Sequence, residues 1–192
     1  MRIRSSQPTT FFGKTSRSKK SVVCLLTLII PLAGVSVEKT SAAIPAPTCK
    51  TIVTNPAVTK GILLNCLDGR GKFIFQSIRG PAILNVWGSW CFPCREEIPY
   101  LVQIAKTKKV QIIGIDASEK SDAAGMAFVK AHDMTWPQLS DIKNKTKGIF
   151  GLGVPVSRFI DVDGKVVYEK IGPFKSVDEI KKAAKEFLGI KF

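Results

Sequence analysis

Histidine is almost absent from this chain of 192 residues, whose one histidine is His132. A zinc site built on the closely spaced pair Cys91 and Cys94 would need about two further Cys or His ligands. His132 is far along the chain from this pair, and the remaining cysteines lie upstream of it. The same scarcity leaves no arrangement typical of a Cys–His protease. We therefore expect neither a metal site nor a bound cofactor.

Acidic residues are also scarce: 15 Asp and Glu stand against 29 Lys and Arg, for a formal net charge of +14. Such a surface could favour anionic partners or a membrane surface. The lysines are scattered, however, and no basic run is interleaved with aromatic residues as in a nucleic-acid site. We therefore expect no nucleic-acid partner and interpret the lysines mainly as a source of solubility.

Internal repeats and long low-complexity tracts are missing, and the length suits one domain with some extra sequence. The apolar run at 22–37 falls short of the roughly 20 residues that span a bilayer. It follows a basic segment and precedes small residues, which is the pattern of a signal peptide, with an uncleaved anchor as the alternative. We interpret 1–43 as a signal peptide or membrane anchor, 44–60 as an extended lead-in and 61–192 as the folded domain.

Apolar periodicity and turn residues predict how the domain is built. The predicted strands are 61–66, 73–77, 82–87, 110–115, 136–139, 157–162 and 166–171. The predicted helices are 93–106, 121–132, 142–150 and 177–188. Helical spacing places Ala124, Phe128 and Ala131 inward in the second helix, and Ile180, Ala183, Ala184 and Phe187 inward in the last. This order indicates an α/β sandwich around a mixed sheet.

The segment Cys91-Phe92-Pro93-Cys94 lies between a predicted buried strand and a predicted helix. A cysteine at a helix N-terminus is close to unpaired N–H groups and to the positive end of the helix dipole, which stabilise its thiolate. We therefore expect Cys91 to be an accessible nucleophile with a pKa below the free-thiol value of about 8.5. Cys94, one turn later, would be buried and would resolve a mixed disulfide. A purely structural bridge is a weak alternative, because so small a loop gains little stability.

Several separate stretches resemble the thioredoxin superfamily and, within it, the TlpA/ResA-type proteins that include the cytochrome c maturation thioredoxins. They are 79–87, 90–99, 119–150, 153–157 and 159–161. The resemblance implies a thioredoxin-like sandwich: a mixed central β-sheet flanked by helices, with an N-terminal hairpin and an extra helix and strand in mid-domain.

The resemblance also implies roles for single residues. Cys91 would be the nucleophile and Cys94 the resolving thiol. Pro155 would be cis, and Val154 before it would offer its backbone to an extended substrate peptide. Trp90 and Phe92, beside the cysteines, are candidate substrate contacts, although Phe92 could equally be an exposed ring.

Two polar residues and one cation complicate this comparison. Asn85 stands where thioredoxin has a buried Asp, and an amide cannot accept a proton from Cys94. Glu97, one turn beyond Cys94, is interpreted as a surface or pairing residue. Arg158 occupies a position where the family often has an apolar residue.

The function implied is thiol–disulfide exchange with exported protein or peptide substrates, outside the cytoplasm, in a protein that is secreted or anchored to the outer face of the cytoplasmic membrane. A reductase, for example of apocytochrome c thiols, is favoured slightly over a disulfide-forming oxidase. Either would need a membrane or extracytoplasmic redox partner. A peroxiredoxin-like peroxidase and a peptide-binding module are weaker alternatives, because the first expects a different cysteine loop and the second needs no cysteines.

Cys49 and Cys66 remain as an even pair that would lie in an oxidising compartment. We predict a structural disulfide between them that ties the lead-in to the first strand. The alternative is two free thiols, with Cys66 buried as a small apolar residue.

Overall fold

The computed structural model describes residues 48–151 and 153–192. Its strands are β1 (Leu63–Cys66), β2 (Lys72–Ile74), β3 (Ala82–Trp87), β4 (Gln111–Ala117), β5 (Gln138–Asp141), β6 (Val156–Ile160) and β7 (Val166–Ile171). Its helices are α1 (Phe92–Thr107), α2 (Asp122–Ala131), α3 (Lys147–Phe150) and α4 (Val177–Leu188). The strands form one mixed sheet in the order β2-β1-β5-β4-β3-β6-β7. The predicted signal peptide or anchor lies outside the described residues.

The continuous apolar run of β3 explains its central place, because a strand covered on both faces has no polar side to expose. All six of its residues are buried. It pairs in parallel with β4 and antiparallel with β6, and β1 and β2 form the predicted N-terminal hairpin. The C-terminal end of β3 therefore delivers the cysteine segment to the edge of a rigid sheet.

Local capping explains where the helices begin. The Cys91 sulfur accepts a hydrogen bond from the Cys94 N–H at the start of α1, and a proline occupies the first turn, where its missing N–H is not needed. Ser121 caps α2 and Ser176 caps α4 in the same way, through their side-chain oxygens.

Apolar side chains form one cluster on each face of the sheet. The first includes Trp87, Ile98, Val129 and Ile180, so it joins the sheet to α1, α2 and α4. The second includes side chains of β1, β3 and β4 together with Cys49, Ile52 and Phe150. The lead-in from residue 48 therefore packs against the face of the sheet opposite the long helices.

The helix predicted at 142–150 is reduced to the single turn of α3. The carboxylate of Asp141 accepts hydrogen bonds from the Lys145 N–H, the Thr146 N–H and the Thr146 hydroxyl, at 2.7, 2.9 and 2.6 Å. These bonds hold the intervening residues as a loop, because a polar side chain at a strand end competes with helical hydrogen bonding. The strand before this loop is also two residues later than predicted.

Two predicted helix faces need correction. In α2 the buried residues are Gly125 and Val129, whereas Ala131 is exposed. Gly125 lies against the Asp116 carboxylate, and a Cβ at this position would overlap Asp116 Oδ2. The absence of a side chain therefore allows α2 to pack closely on β4 here. In α4, Phe187 is partly exposed and stacks on Tyr168 of the edge strand, with ring centroids 4.5 Å apart.

Candidate active site

Cys91 and Cys94 are joined as a disulfide at the start of α1. The Cys94 N–H donates to the Cys91 sulfur at 3.1 Å, so the helix terminus faces that sulfur directly. Cys94 is fully buried, whereas Cys91 is 4% exposed and is thus less accessible than the sequence predicts. Its sulfur lies 3.7 Å from the carbonyl oxygen of Val154, which covers one side of the disulfide. A substrate can therefore reach the disulfide only through the small part of Cys91 that stays exposed.

The loop between β3 and α1 is held by the end of β4. The Trp90 indole N–H donates to the Ala117 carbonyl at 3.2 Å, and the Ser89 N–H donates to the Glu119 carboxylate. The Arg95 guanidinium in turn donates to the Ser89 carbonyl, with its Nε at 2.8 Å. These bonds fix the backbone at Ser89, two residues before Cys91, and connect it to Arg95 of α1.

The two aromatic residues beside the disulfide are exposed. Trp90 has 54% and Phe92 70% of its surface accessible to solvent. Large exposed rings next to a reactive group are typical of contacts with a macromolecule, because they bury much apolar area at little entropic cost. Their predicted role as substrate contacts stays a prediction.

The Val154–Pro155 peptide bond is cis, and this loop faces the cysteines through the Val154 carbonyl. Pro155 is buried, and its carbonyl accepts a hydrogen bond from the Gly172 N–H at 2.9 Å. The loop is thus anchored to the residue that follows β7. A second cis bond precedes Pro81, where the chain enters β3.

A cleft of about 200 Å³ opens beside the disulfide. Trp90 and Val154 line it on the side of the cysteines. Residues between Asn144 and Gly151 form another part of its wall, and Ser118 and Val86, at the ends of β4 and β3, also line it. The cleft therefore begins where the active-site loop and the cis-proline loop meet.

Glu97 is only 1% exposed, so it is not the surface residue that the sequence analysis allowed for, but a buried residue that pairs with its neighbours. Its Oε1 accepts from the Asn85 amide at 2.8 Å and its Oε2 from the Phe174 N–H at 3.0 Å. Burial raises its pKa to about 7, even though these hydrogen bonds favour the carboxylate. A group with this pKa exchanges protons readily at neutral pH. The signal in the sequence is its i, i+3 spacing from Cys94, which places both on one side of α1.

Asp116 is a second buried acid that sequence reasoning missed. It is fully buried on β4, and neither carboxylate oxygen has a hydrogen-bond partner in the described part of the chain. Burial raises its pKa to about 8, with further increases from the negative charges of Glu119 and Asp122. Asp116 is therefore mostly protonated at neutral pH.

Cys49 and Cys66 are also joined as a disulfide, and both belong to the apolar cluster on the face opposite Cys91 and Cys94. The bridge ties the lead-in to the end of β1, away from the reactive pair. In residues 48–151 and 153–192, no three His, Cys, Asp or Glu side chains are grouped so that they could hold a metal ion. Over the same residues, no helix is both long enough and apolar enough to cross a membrane.

Comparison with known proteins agrees with this geometry. The profile of the AhpC/TSA family matches residues 59–169, and the chain belongs to this family of thioredoxin-like proteins. The resemblance and the thioredoxin-like mixed sheet predicted from the sequence are thus confirmed.

Among curated relatives, the thiol-disulfide oxidoreductase ResA of Bacillus anthracis is 40% identical over 111 residues, which are 55% of this chain and 63% of ResA. The match thus spans less than two thirds of that relative. ResA of Bacillus thuringiensis subsp. konkukian is 36% identical over 67% of this chain and 69% of its own. Among solved structures, dsbF from MTB superposes with a TM-score of 0.58 at 28% identity, covering 66% of this chain and 94% of dsbF.

Proposed function

We propose that this protein is a thiol-disulfide oxidoreductase that exchanges disulfides with protein substrates through Cys91 and Cys94. The observation that carries the proposal is the disulfide at the N-terminus of α1, with the Cys91 sulfur accepting from the Cys94 N–H. Partial positive charge at a helix start stabilises a thiolate there once the bridge is reduced. Relatives that are named thiol-disulfide oxidoreductases support the same activity.

In the reducing direction the reaction has two steps. The Cys91 thiolate attacks one sulfur of a substrate disulfide, which forms a mixed disulfide and releases the other substrate sulfur as a thiolate. The Cys94 thiolate then attacks the Cys91 sulfur, which restores the Cys91–Cys94 bridge and releases the second substrate thiol. Two electrons pass to the substrate, and the structure describes the oxidised product of this sequence.

Cys94 must lose its proton before the second step. Asn85 cannot accept it, but Glu97 lies one helical turn from Cys94 and has a pKa of about 7. We assign Glu97 as the proton acceptor for the resolving step, with Asn85 and the Phe174 N–H holding its carboxylate in place.

The direction of electron flow, the substrates and the location belong to this proposal. We propose a reductase that acts on disulfides of exported proteins, such as the disulfide formed from the thiols of apocytochrome c, and that works outside the cytoplasm behind an N-terminal signal peptide or anchor. A membrane or extracytoplasmic redox partner would return electrons to the Cys91–Cys94 pair. A disulfide-forming oxidase of the same fold is the alternative.

Insulin reduction with dithiothreitol as electron source tests the activity. We expect turnover by the wild type, none by Cys91→Ser, and accumulation of mixed disulfides by Cys94→Ser. The control is a variant with both Cys49 and Cys66 replaced by Ser, which keeps the reactive pair. If Cys94→Ser traps no substrate, the assignment of the two cysteines is wrong. A redox potential of about −270 mV for the Cys91–Cys94 pair would support a reductase, and a potential of about −120 mV would support an oxidase.

A further inference from the structure

The cleft beside the disulfide carries an asymmetry of charge. Among the described residues that line it, Lys147 is charged and the others are apolar or neutral and polar. Lys147 is exposed, and its ammonium forms no ion pair or hydrogen bond within the part of the chain that the structure describes. The cleft therefore presents a cation without a carboxylate of its own to neutralise it.

The wall that carries Lys147 is held firmly in position. Arg158 of β6 donates to the Ile149 carbonyl at 2.7 Å, and its guanidinium lies 4.9 Å from the centre of the Phe150 ring. Arg158 is also paired with Glu169 on the neighbouring strand. Together with the bonds to Asp141 that shape the preceding loop, these contacts fix α3 against the sheet. Arg158, at a position where the family often has an apolar residue, thus orients one wall of the cleft.

The cleft is also placed for a substrate bound at Cys91. Val154 lines the cleft and its carbonyl contacts the Cys91 sulfur, so a polypeptide bonded to Cys91 and running into the cleft passes this residue first. An extended chain advances about 3.3 Å per residue. A few residues next to the substrate's cysteine are therefore enough to occupy a cleft of this size, which Lys147 lines.

We propose that the cleft binds the segment of the substrate polypeptide next to its reactive cysteine, and that Lys147 selects a segment with an Asp or Glu side chain. This inference rests on the proposed thiol–disulfide exchange at Cys91 and names the class of substrate that this site prefers. Neighbouring Lys143 and Lys145 line a different cleft, together with Asp122 and Asp141, and the Lys145 ammonium is bonded to the Leu63 carbonyl. An acidic segment in the cleft is attracted by Lys147 and a basic one is repelled.

Two model peptide disulfides test the proposal, identical except for Asp or Lys three residues from the cysteine. We measure kcat/KM for their reduction by the protein, and we use the ratio of the acidic to the basic peptide, which does not depend on overall activity. An exposed ion pair contributes modestly, and exchanging attraction for repulsion roughly doubles its effect, so we expect a ratio of about five at low salt. In the Lys147→Glu variant the ratio should fall below one. The matched control Lys165→Glu makes the same charge change in the β6–β7 turn and should keep the wild-type ratio.

Salt gives a second measurement on the same peptides. The wild-type ratio should approach one as ionic strength rises, because exposed charges are screened. Equal rates for the two peptides at low salt, or the same ratio in wild type and Lys147→Glu, would overturn the role of Lys147 while leaving the exchange activity intact. If neither peptide were reduced, the proposed function itself would fail, and with it this inference.

Discussion

Replacing Asp116 with asparagine removes an ionisable group from the interior without changing its shape. Both carboxylate oxygens of Asp116 lack hydrogen-bond partners in the described residues, and the side chain lies against Gly125 of α2. Charging such a group is costly, because burial withholds the water that would stabilise a carboxylate. The wild-type protein should therefore become less stable as the pH rises, and the Asp116→Asn variant should lose the part of this dependence that Asp116 causes.

The pKa of Asp116 gives the size and sign of the effect. Its pKa is 3.8 in the unfolded reference and about 8 in the native protein, so between these values the native state binds more protons. Stability then falls as pH rises, by about 1.4 kcal/mol per pH unit. The fall begins above the unfolded pKa and stops above the native one. The free energy of unfolding of the variant minus that of the wild type should therefore increase by about 3 kcal/mol between pH 5 and pH 7.

Urea unfolding monitored by tryptophan fluorescence at pH 5, 6, 7 and 8 measures this difference. The raised pKa of Glu97 gives both proteins the same additional slope, so it cancels in the comparison. Asp163→Asn is the matched control, because it removes a carboxylate from an exposed turn. Parallel pH dependences for wild type and Asp116→Asn would refute the reasoning, since they would mean that Asp116 titrates alike in the folded and unfolded chain.

Two further predictions concern the reactive pair and the second disulfide. The rate of the resolving step should rise as the pH passes about 7 in the wild type, because Glu97 accepts a proton only when it is ionised. The Glu97→Gln variant should lack this rise. If its profile of kcat against pH matched that of the wild type, Glu97 would be excluded as the acceptor. Replacing both Cys49 and Cys66 with Ser opens a loop with a sequence separation of 17 residues. This should lower the free energy of unfolding by about 3 kcal/mol while leaving insulin reduction nearly unchanged. Loss of activity at full stability would instead make the pair an electron relay.

The sequence predicts those features that depend on neighbouring residues. The buried strand β3, the cysteine segment after it and the β6–β7 hairpin all follow from local apolar runs and turn residues. The loop from Ile142 to Thr146 does not, because it depends on one carboxylate, that of Asp141, accepting three hydrogen bonds. The partners of Asp141 are only four and five residues away, but apolar periodicity does not reveal that a side chain will compete with the helix for these backbone groups.

The candidate site shows the same limit. Cys91 and Cys94 are evident from their spacing and context. The burial of Glu97 depends on Asn85 and Phe174, which are distant in the sequence and meet Glu97 only in the folded chain. The buried face of α2 includes Gly125, because Asp116 occupies the space that a Cβ there would need, and this contact also forms only in the folded chain.

A protein whose proposed task is to reduce disulfides must not reduce a structural disulfide of its own, and the bridge between Cys49 and Cys66 is such a disulfide. Exchange requires a thiolate to reach a disulfide sulfur directly. Cys49 and Cys66 are 0% and 1% exposed, so neither the Cys91 thiolate of a second copy nor a reduced substrate can reach that bridge without local unfolding. Electrons supplied to this protein are thereby confined to the Cys91–Cys94 pair, because Cys91 keeps a small exposed area at the start of α1 and lies on the opposite face of the sheet from the Cys49–Cys66 bridge.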